Sequence, residues 1–198
     1  HMGQHPTIRG NDDFVFESLD ADYTLGRAED GTSTMTVVET FVAIFPEYDQ
    51  NRGMRRILPD SYLGAPLHPQ LVSITDADGN PRPAEVVSED GAYAMTSRAD
   101  DYVHGAQTYV FTYTLENVAR FFDDTGVDEL YWNVNGVDWV QPFGSVSATL
   151  HVPTELAAAL TGAQSCYVGA AGATDQCSIA STTDADGGVT VTASATDL

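Results

Sequence analysis

The chain has 198 residues, enough for one large β domain or two small ones, and its 42% hydrophobic content supports a sizeable core. It carries 29 acidic residues against 8 basic ones, all arginine, for a net charge of -21. That balance repels phosphate backbones and argues against nucleic-acid binding; it equally disfavours docking on anionic lipid through a basic patch.

His1-Met2 reads as a cloning scar, and residues 1–5 as a disordered start. From there the signal along the chain is period-two alternation. Asp22–Arg27 reads as a strand, Ala28-Glu29-Asp30-Gly31 as a turn, and Thr32–Phe45 as a long strand. One face of that strand would carry Met35, Val37, Glu39, Phe41, Ala43 and Phe45. Leu71–Thr75 and Pro83–Val87 flank Asp78-Gly79, and Ala92–Ser97 follows Asp90-Gly91. Thr108–Leu115 is the next strand. Glu116–Phe122 (ENVARFF) is read as a short helix with Val118, Ala119 and Phe122 on one face. Ser145–Val152 is a strand, and Thr154–Leu160 is read as two helical turns capped by Thr154. Cys177–Thr182 and Val189–Ala193 flank Asp186-Gly187. The expected fold is mostly β: an Ig-like or jelly-roll-type antiparallel β-sandwich with one or two short helices. Residues 6–198 would form a single domain, with 161–198 as a candidate small lobe.

No stretch reaches the ~18 apolar residues that a spanning helix needs. Cys166 and Cys177 enclose ten residues rich in Gly and Ala, with no His nearby and no metal-knuckle spacing. The expectation is a disulfide across a hairpin, as suits an exported chain, rather than two free thiols.

Several constellations could carry chemistry. Asp76-Ala77-Asp78-Gly79-Asn80 and Asp184-Ala185-Asp186-Gly187 resemble the start of a calcium loop. In the first, the sixth and twelfth positions fall on Pro81 and Val87 where an EF-hand needs Gly and Glu, so hairpin turns are the simpler reading. No cofactor is expected beyond a weak surface calcium site. His5, His68, His104 and His151 are scattered singly, and no Gly-x-Ser-x-Gly elbow occurs. Glu39 lies between apolar neighbours and needs a partner, which the cluster Arg52, Arg55 and Arg56 supplies; a structural ion pair is favoured over a catalytic acid. Tyr131, Trp132 and Trp139 lie among Asn133, Asn135 and Asp138. Such aromatics either stack on sugar rings or pack between sheets, and core packing is favoured.

Two blocks resemble a known family. The first runs Asp22-Tyr23-Thr24-Leu25, Val38-Glu39-Thr40, then Phe45 to Pro59 through Arg52-Gly53-Met54-Arg55-Arg56-Ile57-Leu58-Pro59. The second is Asp128 to Trp139 with its Leu130-Tyr131-Trp132-Asn133 signature; Tyr109-Val110-Phe111-Thr112-Tyr113 lies between them. In order and spacing they resemble the N-terminal extracytoplasmic domain of the bacterial predicted membrane proteins grouped as domain of unknown function 2207, with Leu58 inserted before Pro59. The resemblance implies a parent with an export signal and transmembrane helices absent from this piece, the domain lying outside the membrane. It implies no activity.

Three functions follow as expectations. The first is a non-catalytic binding, sensing or assembly role at the cell envelope, with Arg52–Arg56, Glu39 and Tyr131–Trp139 gathered at one centre. The second is carbohydrate or peptidoglycan binding through Trp132, Trp139, Asn133 and Asp138. The third and least favoured is a two-carboxylate hydrolase, whose acids must stand roughly 5–9 Å apart in a cleft.

Overall fold

The computed structural model describes residues 13–62, 64–122, 127–130, 141–157, 167–168, 175–176 and 178–196. In chain order the first strands are β1 (Val15–Arg27), β2 (Ser33–Phe45), β3 (Asn51–Pro59), β4 (Ser61–Tyr62), β5 (Ala65–Pro66), β6 (Gln70–Thr75), β7 (Glu85–Glu89), β8 (Ala92–Val103) and β9 (Gly105–Glu116). There follow β10 (Ala119–Phe122), β11 (Val127–Leu130), β12 (Phe143–Val152), the single-turn helix α1 (Thr154–Ala157), β13 (Tyr167–Val168), β14 (Asp175–Gln176), β15 (Ser178–Thr183) and β16 (Val189–Thr196).

Seven strands form one sheet in the order β15-β16-β12-β1-β2-β9-β6, and β3-β8-β7 form a second. Alternation explains why they stack. Every second residue of β2, from Met35 through Val37, Glu39, Phe41 and Ala43 to Phe45, is buried. Register aligns these with Leu19, Ala21 and Tyr23 of β1 and with Tyr109, Phe111, Tyr113 and Leu115 of β9. Met54 and Leu58 of β3 and Met95 of β8 belong to the same core. The opposite face of the large sheet is polar, with rows such as Thr192–Thr149–Asp22–Val38–Thr112. Aromatic rings fill one end: Phe16 stacks on Phe143 at 4.7 Å and Phe14 lies 4.8 Å from Phe45. Burying each such ring contributes on the order of 1.5–3 kcal/mol.

The turn chemistry operates as its residues dictate. Asp30 accepts a hydrogen bond from the Thr32 amide in the β1–β2 turn. Asp90 (φ 52°) and Gly91 (φ 80°) form the two-residue β7–β8 hairpin, both left-handed as a type I′ turn requires.

The structure corrects the sequence reading in four places. First, β1 begins at Val15, not Asp22, and its start is paired with β12. That β1–β12 pairing is parallel in an otherwise antiparallel sheet, since β12 returns to the sheet from a distant connection that no local turn signal encodes. Second, Glu116–Phe122 is not helical. Glu116 ends β9, and Asn117 turns the chain at φ 57°, its side-chain amide donating to the Pro66 carbonyl at 2.6 Å. Ala119–Phe122 then forms β10, paired with β11. Third, Asp78-Gly79 sits in a tight turn but does not join a hairpin: β6 enters the large sheet and β7 the small one. Pro81 and Pro83 lack the amide hydrogens a continuing ladder needs, and only the isolated Thr75–Pro81 bridge forms. Fourth, Thr154 opens α1, but its hydroxyl donates to the Asp186 carbonyl at 2.8 Å.

Candidate functional site

Strand alternation sets up the polar centre. Glu39 faces inward from β2, flanked in register by Ala21 of β1 and Phe111 of β9, and is 0% exposed. The facing strand β3 repeats the period two with Met54, Arg56 and Leu58 inward. Arg56 therefore meets Glu39 across the sandwich. Its Nε donates to Glu39 Oε1 at 2.9 Å and its Nη2 to Oε2 at 2.8 Å, while Nη1 reaches the Ile57 carbonyl at 3.4 Å.

A fork meeting both carboxylate oxygens is the geometry for which guanidinium is suited. Burial pulls the Arg56 basicity down, but the Glu39 charge outweighs it and holds the guanidinium above its ordinary value. Tyr23 and Tyr113 flank Val37 one row away on the same inner face. Burial first, and then the Glu39 charge, push the Tyr113 phenol well above its ordinary range, so it stays protonated. With both carboxylate oxygens engaged and the pair sealed from water, the chemistry available is a lock between two sheets.

The other arginines of the cluster point away. Arg55 is exposed on the outer face, with Nε donating to Thr96 Oγ1 at 3.2 Å, and Arg52 is exposed over the Tyr102 ring at 4.8 Å. Of the expected centre, Glu39 and Arg56 come together; Tyr131, Trp132, Asn133, Asp138 and Trp139 lie outside the described residues, as do Cys166 and Cys177. The run Met54-x-Arg56-x-Leu58 is the signal that distinguishes Arg56 from its neighbours. Tyr113 had no comparable signal as a neighbour of Glu39, because cross-strand register is not written in either strand alone.

The three described histidines each meet a carboxylate at the surface: His68 with Glu116 at 2.9 Å, His104 with Asp49 at 2.8 Å and His151 with Asp22 at 2.9 Å. In the calcium-like stretches the carboxylates serve the turns. Asp76 accepts from the Asn80 amide at 3.0 Å, which chiefly holds its carboxyl below the usual value, and from the Asp78 amide at 2.9 Å. Asp184 accepts from the Thr190 hydroxyl at 2.9 Å, and Asp186 from the Gly188 amide at 3.0 Å. Among the described residues no group of three or more His, Cys, Asp or Glu could hold a metal ion.

Fold and centre thus define a mostly β sandwich domain with a sealed ion pair at its core. The chain belongs to the family described as predicted membrane protein (DUF2207) N-terminal domain, whose model matches residues 17–197. No curated protein matches it. Among solved structures it is similar to native yeast LTA4 hydrolase, at 9% identity and a TM-score of 0.46, covering 98% of this chain and 32% of that one. It is also similar to an M1 zinc metallopeptidase from Deinococcus radiodurans, at 11% identity and a TM-score of 0.42, covering 91% and 38%. The chain spans well under half the length of either structure. No helix among the described residues is long and apolar enough to cross a membrane.

Proposed function

We propose that this domain stands outside the cytoplasmic membrane and serves binding, sensing or assembly at the cell envelope, without catalysis. The observation that carries the non-catalytic reading is the Glu39–Arg56 pair. The carboxylate most conspicuous in the sequence is spent on a bidentate contact with no solvent access. A general acid or base must reach a substrate proton directly or through one water. Membership of a family of predicted membrane proteins supports the anchoring of the parent. An oxidised Cys166–Cys177 pair accompanies this reading, since disulfides persist in oxidising compartments.

The test replaces the pair by apolar residues of similar size, Glu39→Leu with Arg56→Met, in the full parent protein. The cellular role is expected to follow the amount of folded domain. Loss of that role with folded protein at wild-type level would overturn the non-catalytic reading.

A further inference from the structure

We infer that one end of the sandwich, carrying Tyr48, Tyr102, Arg52 and Val15, faces the headgroup layer of the bilayer that anchors the parent. This rests on the membrane reading above and adds an orientation to it. Register fixes where the chain enters and leaves the domain. β1 opens with Phe16 opposite Phe143 at the start of β12, and the two strands run parallel. β16 runs antiparallel to β12 and closes with Thr196 opposite Ser145. The beginning of β1 and the end of β16 therefore lie at the same end of the large sheet. The family is one of predicted membrane proteins, and a tether from either terminus of the domain would leave from that end.

The same end gathers the connections that present aromatic rings to solvent. β2 finishes at Phe45, opposite Gly105 at the start of β9, and β3 begins at Asn51, opposite Val103 of β8. Tyr48 lies in the β2–β3 connection, and Tyr102 stands near the end of β8 under the Arg52 guanidinium. Val15, Tyr48 and Tyr102 are 43%, 41% and 41% exposed. β16 lies three strands from β2, about 14 Å at ordinary strand spacing, so the departing chain and the β2–β3 connection lie at one end of the domain. Tyrosines with an apolar body and a polar tip suit the headgroup level. Asp13, Glu47, Asp49 and the exposed Asp100 and Asp101 beside Tyr102 lie near this end too, with Asp13 accepting from the Tyr48 hydroxyl and Asp49 paired with His104. The contact is therefore aromatic and set by the tether, not by attraction to anionic lipid.

The opposite end carries the Ala28–Gly31 turn and α1. Photo-crosslinking to lipid tests the assignment, with benzoyl-phenylalanine placed singly at Tyr48, Tyr102, Glu29 or Glu155 of the intact parent in phosphatidylcholine–phosphatidylglycerol nanodiscs. Lipid adducts from Tyr48 and Tyr102 are expected to exceed those from Glu29 and Glu155 several-fold. Adducts equal at the two ends, or confined to Glu29 and Glu155, in a nanodisc-bound protein would overturn the orientation alone. A parent that does not enter nanodiscs would overturn the membrane reading and the orientation with it.

Discussion

Glu39 and Arg56 are each unfavourable in an apolar core, and each makes the other tolerable. Removing one leaves a buried charge without compensation, whereas removing both leaves none. Glu39→Ala or Arg56→Ala is accordingly expected to destabilise by about 3–5 kcal/mol, and Glu39→Leu with Arg56→Met by much less than either; urea unfolding of the three variants measures this. Tyr113 adds a pH dependence. Its folded-state value is raised above the ordinary 10.0, so its contribution is fully present below that pH. Above it the unfolded chain loses the phenol proton and the folded chain keeps it, so stability falls as pH rises. Tyr113→Phe should flatten this alkaline limb, which stability measured between pH 8 and pH 11 would show. Glu39 was legible in the sequence because a carboxylate interrupts an apolar face. Tyr113 was not, because its relation to Glu39 exists only once β9 is registered against β2.

Strands and turns were the most readable level. The inward face of β2 and the Asp90-Gly91 hairpin follow from alternation and from residues that tolerate positive φ. The helical reading of Glu116–Phe122 failed because side-chain spacing over seven residues does not report that Asn117 leaves the helical region to bond Pro66. The parallel β1–β12 contact was not legible for a related reason: it joins segments more than a hundred residues apart. Gly53 shows how an element depends on one backbone position. It sits at φ 155° in the β3–β8 irregularity, where an added Cβ would stand 1.8 Å from the Ser97 carbonyl oxygen. That backbone cannot yield as a flexible side chain would. Gly53→Ala should therefore destabilise by at least about 1–3 kcal/mol, visible as a lower thermal midpoint; an unchanged midpoint would mean that the close approach is not required.

At the scale of the molecule, sequence and structure agree on a mostly β sandwich belonging to a family of predicted membrane proteins. Acidity and a lack of lysine are the sequence grounds for expecting no nucleic-acid partner, and the structure adds that the most conspicuous carboxylate is locked away from solvent. The tryptophan segment was readable as a motif, yet the same residues suit core packing and sugar stacking alike, because composition does not say which face of a ring is covered. The central proposal is that the domain works on the outer side of the membrane. Limited proteolysis of the full parent in intact spheroplasts and in lysed ones tests this most directly. The account predicts that the domain is cleaved in both; a domain protected until the membrane is broken would contradict it.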